Sequence, residues 1–277
     1  MQALVLGTAQ WGSPYGVTNK RGRLDDSDLA EIMTSAGEAG IEKVDTAAGY
    51  GDAEVRLAPW SENLVITTKV KAGSPVPMLE QTGASLDRLG VESVRTLLIH
   101  DWSALDPTQS AIAAKELAGI RELGLASEIG ISGYEPADLE KALAHFGRLD
   151  AVQVPVNALD VRLAQHPVLV ELTAEGTRIQ ARSVFLQGLL ASRSTVALGQ
   201  HPDVVRFHSS CAESGISPIE AALAAVRDCT WVSEVVVGVT SGPELREITR
   251  AWYSPVAQAA NVSASHDLAL IDPRNWA

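Results

Sequence analysis

The feature that most limits the fold is an alternation repeated along the chain. Short apolar runs lie at residues 3–6, 43–45, 64–70, 94–100, 128–132, 151–156, 178–185 and 235–239, and between them lie longer amphipathic stretches rich in Ala, Leu and Glu. Runs of that length read as buried strands, and the stretches read as helices packed on them. Helices are expected at about residues 26–39, 53–57, 77–89, 107–123, 136–146, 167–175, 218–228 and 243–251. Several open on Pro, whose missing N–H costs nothing in a first turn. Others stop at Gly, as at Gly90 and Gly124, which suits a left-handed cap. Eight strand–helix units within 277 residues fit one α/β domain over 1–277, a (β/α)8 TIM barrel with a short C-terminal tail. A doubly wound sheet competes, but it would open with GxGxxG after the first strand, and here that turn reads GTAQWGSPYG.

Hydrophobic residues make up 46% of the chain and charged residues 20%, enough apolar surface for a packed core rather than disorder. The net charge of −12 comes without any Lys/Arg cluster, which argues against a nucleic-acid partner. Cys211 and Cys229 lie 18 residues apart with no CxxC, so two reduced thiols are expected and no metal site. The opening MQALVLGTAQWG carries no basic leader, and no run approaches the roughly 18 apolar residues of a membrane span. The expectation is a cytoplasmic protein with no membrane partner, monomeric because a barrel is self-contained.

A TIM barrel carries its site at the C-terminal ends of its strands. Those ends hold Gly7, Thr8, Asp45, Lys69, His100, Ser132, Gln153, Asn157, Arg182, Ser183, Gly238 and Thr240. Asp45, Lys69 and His100 close three successive strands, and Tyr50 follows in the loop above Asp45. Each has an ordinary structural use: a helix cap, a solvated strand end, a satisfied histidine, loop packing. At adjacent strand mouths they also make a chemical set. A phenol titrates near pH 10, and an adjacent ammonium is expected to lower that value and make Tyr50 a usable acid. Asp45 would keep Lys69 charged and aimed, and His100 would hydrogen-bond a substrate oxygen. Such a set protonates an alkoxide, which suits carbonyl reduction if a nicotinamide supplies the hydride.

The chain resembles the aldo/keto reductases. The matching segments are LGTAQWG at 6–12, VDTAAGYGDAE at 44–54, ITTKV at 66–70, LLIHDW at 97–102, IGISGYEP at 129–136, VQVPVNALD at 152–160, ARSVFLQGLL at 181–190 and VVGVTSGPEL at 236–245. They run in the family's order over nearly the whole length. The opening is similar to a bacterial branch often associated with sugar metabolism. The resemblance implies the same barrel, with a catalytic tetrad of Asp45, Tyr50, Lys69 and His100. It implies an NADP(H) cofactor, with NAD(H) close behind, held by Gly7, Thr8, Asp45, Ser132, Gln153, Arg182, Ser183, Gly188, Gly238, Thr240 and Glu247. Trp11 and Trp102 are expected to line a substrate pocket with Tyr50 and His100, and the substrate to be a small polar carbonyl compound such as a keto-sugar.

Three departures stand out. The Asn that follows the family's Ser is Gly133 here, its amide contact left to another group such as Asn157. The aromatic residue that stacks on the nicotinamide aligns with Arg182, whose guanidinium would tolerate the neutral reduced ring better than the cationic oxidised one. The basic clamp on a 2′-phosphate aligns with Gly238 and Glu244, leaving Thr240, Ser241 and Arg246 to compensate. These departures keep a second reading open, a nucleotide sensor or auxiliary subunit with little turnover, and a third, a sugar isomerisation or elimination. Residues 185–208 are expected to form a loop over the cofactor.

Overall fold

The computed structural model describes residues 2–164, 166–253 and 263–276. Eight parallel strands close into a barrel in chain order: β1 (Ala3–Gly7), β2 (Lys43–Asp45), β3 (Val65–Val70), β4 (Val94–Ile99), β5 (Ala126–Ser132), β6 (Ala151–Pro155), β7 (Arg178–Arg182) and β8 (Glu234–Gly238). The helices are α1 (Ala9–Gly12), α2 (Asp26–Glu38), α3 (Ala53–Leu57), α4 (Met78–Leu89), α5 (Pro107–Glu122), α6 (Pro136–Phe146), α7 (Pro167–Ala174), α8 (Pro202–Ser214), α9 (Pro218–Arg227), α10 (Gly242–Tyr253) and α11 (Leu268–Ile271). Parallel strands need long crossovers, and the helices supply them while covering the outer face of the sheet.

Local chemistry starts the helices where the sequence suggests. Reciprocal capping boxes join Asp25 to Asp28, Asp106 to Gln109 and Ser217 to Glu220 at the starts of α2, α5 and α9. Each pair satisfies N–H groups that the first turn leaves open, worth about 1 kcal/mol per cap. The inward stripe of α2 is Leu29, Ile32 and Ala36, all buried. That spacing keeps one face on the barrel.

Two expectations change. Strand β7 ends at Arg182, not at residue 185. Residues 202–208, expected as the end of the loop, instead begin α8, which has Val204, Phe207, His208 and Cys211 buried on one face. The signal was present: Pro at the first turn, then helical apolar spacing.

Register decides which side chains enter the barrel. Asp45 pairs with Thr67, and Lys69, two residues on, pairs with Leu98. His100 lies two beyond Leu98, while Leu98 pairs with Gly130, two before Ser132. Ser132, Gln153, Gln180 and Glu234 then stand side by side across β5 to β8. A two-residue step keeps a side chain on the same face. Asp45, Lys69, His100, Ser132, Gln153 and Arg182 therefore all belong to the inward set.

The bottom of the barrel is shut by charge. Arg178 bonds Glu234 at 2.7 Å and also pairs with Glu128, Lys43 takes the other Glu234 oxygen at 2.5 Å, and Arg95 holds Glu128. Above it the interior stays hydrogen-bonded. Gln180 donates to Glu234 at 2.7 Å, and Gln153 donates to Gln180 at 3.1 Å and to Asp45 Oδ1 at 2.6 Å. This chain of amides ties the closed end of the barrel to the open one. A buried polar group is tolerable only when partnered, and these are.

Candidate active site

At the open end Lys69 Nζ is the centre of a buried cluster. It donates to Asp45 Oδ2 at 2.7 Å and to the Thr46 carbonyl at 2.9 Å, and it lies 3.3 Å from the Tyr50 hydroxyl. Its side chain is wholly out of solvent. Asp45 is fixed from two sides, because Gln153 occupies its other oxygen. The Tyr50 and His100 rings meet edge to face with centroids 5.6 Å apart. The four tetrad residues are thus brought together, with Lys69 and most of Asp45 behind Tyr50 rather than in the open cleft.

Tyr50 stands where it does because two backbones nearly touch. A Cβ on Gly12 would fall 1.7 Å from the Tyr50 carbonyl oxygen and 2.7 Å from the Ala53 nitrogen. Only glycine lets α1 come this close to the loop after β2.

The electrostatics differ from expectation in one respect. Burial, then the Asp45 carboxylate, push the Tyr50 hydroxyl well above the ordinary phenol value, and the Arg182 charge opposes this only in part. The lowering expected from Lys69 does not prevail, because burial and the Asp45 carboxylate act the other way. Burial pulls Lys69 below the usual lysine range while Asp45 opposes it. His100 is pushed down to about 3 by burial, then by Lys69, Arg182 and Lys71. Tyr50 therefore holds its proton, and His100 is a neutral imidazole at ordinary pH.

A cleft of about 640 Å³ runs over these groups. Gly7, Thr8, Asp45, Tyr50, His100, Ser132, Gln153, Arg182, Ser183, Gly188, Gly238 and Thr240 all line it. Thr8 donates its hydroxyl to the Asp45 carbonyl at 3.1 Å. Glu247 does not line it; this residue is exposed on α10, a turn beyond the cleft. Two loops meet over the cleft, since Val17 N–H and Thr18 Oγ1 donate to the side chain and carbonyl of Gln187.

Neither tryptophan stands in the cleft. Trp11 and Trp102 are each 0% exposed and do not line the cleft. The single turn of α1 swings Trp11 onto Trp60, at 6.2 Å. Trp102 turns outward toward α6, where its indole N–H donates to the Asp138 carbonyl at 2.9 Å. Tyr15, Tyr134 and Phe185 line the cleft instead, with Tyr50. Asn157 is likewise spent on structure: its side-chain oxygen accepts from Leu159 and Asp160 N–H groups, and its amide donates to the Ser183 carbonyl. Position 133 is tight, because a Cβ there would lie 3.1 Å from Asp138 Cβ and 3.2 Å from Ile131 Cδ1.

The β8 end of the cleft carries the Glu244 carboxylate, and the basic residues on the cleft there, Lys20 and Arg21, come from the loop between α1 and α2. Glu244 accepts from the Thr240 N–H at 2.6 Å and from its hydroxyl at 2.9 Å. Arg246 points away, to Ser35 at 2.7 Å and Glu31 at 3.2 Å, so it cannot compensate. Arg21 reaches in but is held by Asp28 and the Thr240 carbonyl. Sequence reasoning missed Gln10, whose side chain covers Gly238 and whose Oε1 is buried without a partner. No group of three His, Cys, Asp or Glu among the described residues could hold a metal ion.

A model of the aldo/keto reductase family matches residues 3–264. The chain is 26% identical over 277 aligned positions to the NADH-specific methylglyoxal reductase of Escherichia coli strain K12, covering 88% of this chain and 84% of that protein. It is 30% identical over 209 positions to an aldo-keto reductase of Mycobacterium marinum, covering 72% and 69%. The fold superposes on the holo form of the aldo-keto reductase AKR11C1 from Bacillus halodurans with a TM-score of 0.75, at 16% identity, over 96% of this chain and 94% of that one.

Proposed function

The chain belongs to the aldo/keto reductase family of oxidoreductases, and on that premise we propose that it reduces a small carbonyl compound to an alcohol with a reduced nicotinamide dinucleotide. The observation that carries this reading is the line from Asp45 through Lys69 to the Tyr50 hydroxyl, with His100 across from it. The residues fit the cofactor. The cleft has the size of a small-molecule site, and it holds an unspent buried acceptor in Gln10. Ser132 and Gln153 would hold the nicotinamide amide, and Gly7, Ser183, Gly188, Gly238 and Thr240 would line the rest of its bed. When bound, the cofactor supplies a hydride.

The protein's own part is to place the carbonyl and deliver a proton. Tyr50, kept protonated by burial and Asp45, donates its hydroxyl proton to the carbonyl oxygen as charge develops there. Lys69 stabilises the tyrosinate left behind, and its charge matters most at that moment. Asp45 and Gln153 hold Lys69 still. His100, neutral, orients the carbonyl by a hydrogen bond without competing to give up a proton. Arg182 favours the neutral reduced nicotinamide over the cationic oxidised ring, since a second cation would be repelled.

The cofactor preference moves from NADP(H) to NAD(H). A 2′-phosphate at the β8 end would meet the Glu244 carboxylate, with Arg246 turned away and Arg21 already paired with Asp28, and like charges at close range are unfavourable. The E. coli relative is itself NADH-specific by name. The test is oxidation of NADH and of NADPH by the purified protein with a neutral aldehyde such as methylglyoxal. Turnover with NADH at the higher kcat/KM supports the proposal. Tight dinucleotide binding with no turnover across a broad carbonyl panel would favour a sensor instead.

A further inference from the structure

Arg182 is out of keeping with the other charges inside this barrel. Arg178, four residues earlier on β7, is saturated by Glu128 and Glu234. Arg182 is half-buried and makes no ion pair among the described residues. Its hydrogen bonds go to the neutral Gly133 carbonyl at 3.0 Å and Ser183 Oγ at 3.3 Å. Its guanidinium lies 4.2 Å from the centre of the Tyr134 ring. A second guanidinium, Arg274, lies 4.1 Å from the same ring centre. The one ring thus carries two guanidiniums. Arg274 is anchored by Asp272 at 2.6 Å, so the C-terminal tail clamps Tyr134, and Tyr134 supports Arg182.

The arrangement holds a cation in place without neutralising it. Its charge is felt at Tyr15, Tyr50 and His100, which puts it at the catalytic end of the cleft. Lys71 lines the same end, close enough to bear on His100, and has no ion pair among the described residues either. The acids of the cleft are already engaged: Asp45 by Lys69, and Glu244 by Thr240 at the far end. A partly buried cation without an anion is costly. In a chain with a net charge of −12, this half-buried guanidinium, with the exposed Lys71 ammonium lining the same cleft, marks a place for a negative charge brought by a ligand.

We propose that the natural substrate is an anionic carbonyl compound, whose carboxylate or phosphate is bound by Arg182 with Lys71 while its carbonyl meets Tyr50 and His100. This deepens the reductase reading and rests on it. A guanidinium offers a planar, bidentate fork to either anion.

The test compares matched pairs of substrates with NADH: 4-carboxybenzaldehyde against 4-nitrobenzaldehyde, and glyceraldehyde 3-phosphate against glyceraldehyde. The proposal expects kcat/KM to favour the charged member of at least one pair by roughly tenfold or more, the range of a hydrogen bond to a charged group. Which pair shows the preference tells carboxylate from phosphate. Arg182→Gln and Lys71→Gln should each reduce the charged-to-neutral ratio, mainly through KM, and the ratio should fall as salt rises. Turnover of the neutral aldehydes with no preference for either charged partner, or a ratio that Arg182→Gln leaves unchanged, overturns the proposal while the reductase reading stands. If no aldehyde is turned over, the reductase reading fails. Binding of 4-carboxybenzyl alcohol and benzyl alcohol to the NADH complex then decides: equal affinity, or no loss for the acid in Arg182→Gln, overturns the anion site.

Discussion

Lys69→Met should damage the protein in a way that a second substitution repairs for stability but not for activity. Lys69 is wholly buried and makes a 2.7 Å contact with Asp45, which is 4% exposed at its side chain. Removing one partner of a buried pair leaves an uncompensated charge and typically costs about 3–5 kcal/mol. Asp45 keeps its 2.6 Å bond from Gln153 on the other oxygen, so the low end, about 3 kcal/mol, applies here. For a chain of this size that is roughly a 6–12 °C fall in Tm. Asp45→Asn in the same chain removes the orphaned charge and retains an acceptor for Gln153. The double variant should recover to within about 1–2 kcal/mol of the parent, since a buried pair is often no more stable than neutral groups of similar shape. Urea unfolding of the four proteins of this cycle gives the coupling. Turnover should stay low in all three variants, because Tyr50 loses the ammonium in each Met form and its anchor in Asp45→Asn alone. A Lys69→Met protein as stable as the parent, or a double variant no better than the single, would refute the buried-pair account.

Other outcomes follow from the same geometry. His100 titrates near 3 in the fold against about 6.5 when unfolded, so the unfolded chain alone takes up a proton between those values. Stability should therefore be complete above about pH 6.5 and fall by about 2 kcal/mol on acidification to about pH 5, with His100→Gln removing that part of the slope. Because the imidazole stays neutral, kcat/KM should show no inflection near pH 6.5 that disappears in His100→Gln. Gly12→Ala puts a methyl group 1.7 Å from the Tyr50 carbonyl oxygen; it should cost about 3 kcal/mol or more in a thermal melt and, by displacing Tyr50 by about 1 Å, on the order of a hundredfold in turnover.

Much of this is legible in the sequence. Strand-length apolar runs between amphipathic stretches leave few arrangements other than the barrel, and the barrel's stagger places Asp45, Lys69 and His100 on its inner wall. What was illegible depends on direction and distance. Trp11 and Trp102 stand beside strand ends in sequence, but a single helical turn and a short 3₁₀ turn point them into the core. The depth of burial that raises Tyr50 could not be read from its neighbours in sequence, nor could the upward push of the Asp45 carboxylate on it. The stack of Arg182, Tyr134 and Arg274 joins three distant parts of the chain, and no local pattern marks it.

The central claim is that Tyr50 delivers the proton, and it is tested most directly by Tyr50→Phe. NADH affinity, followed by fluorescence, and NADH oxidation with a reactive aldehyde should be measured on the same preparation. The account predicts a folded protein that binds NADH within a few-fold of the parent, with turnover reduced by at least 10²-fold, the scale of a lost general acid. Full turnover with unchanged affinity would contradict it.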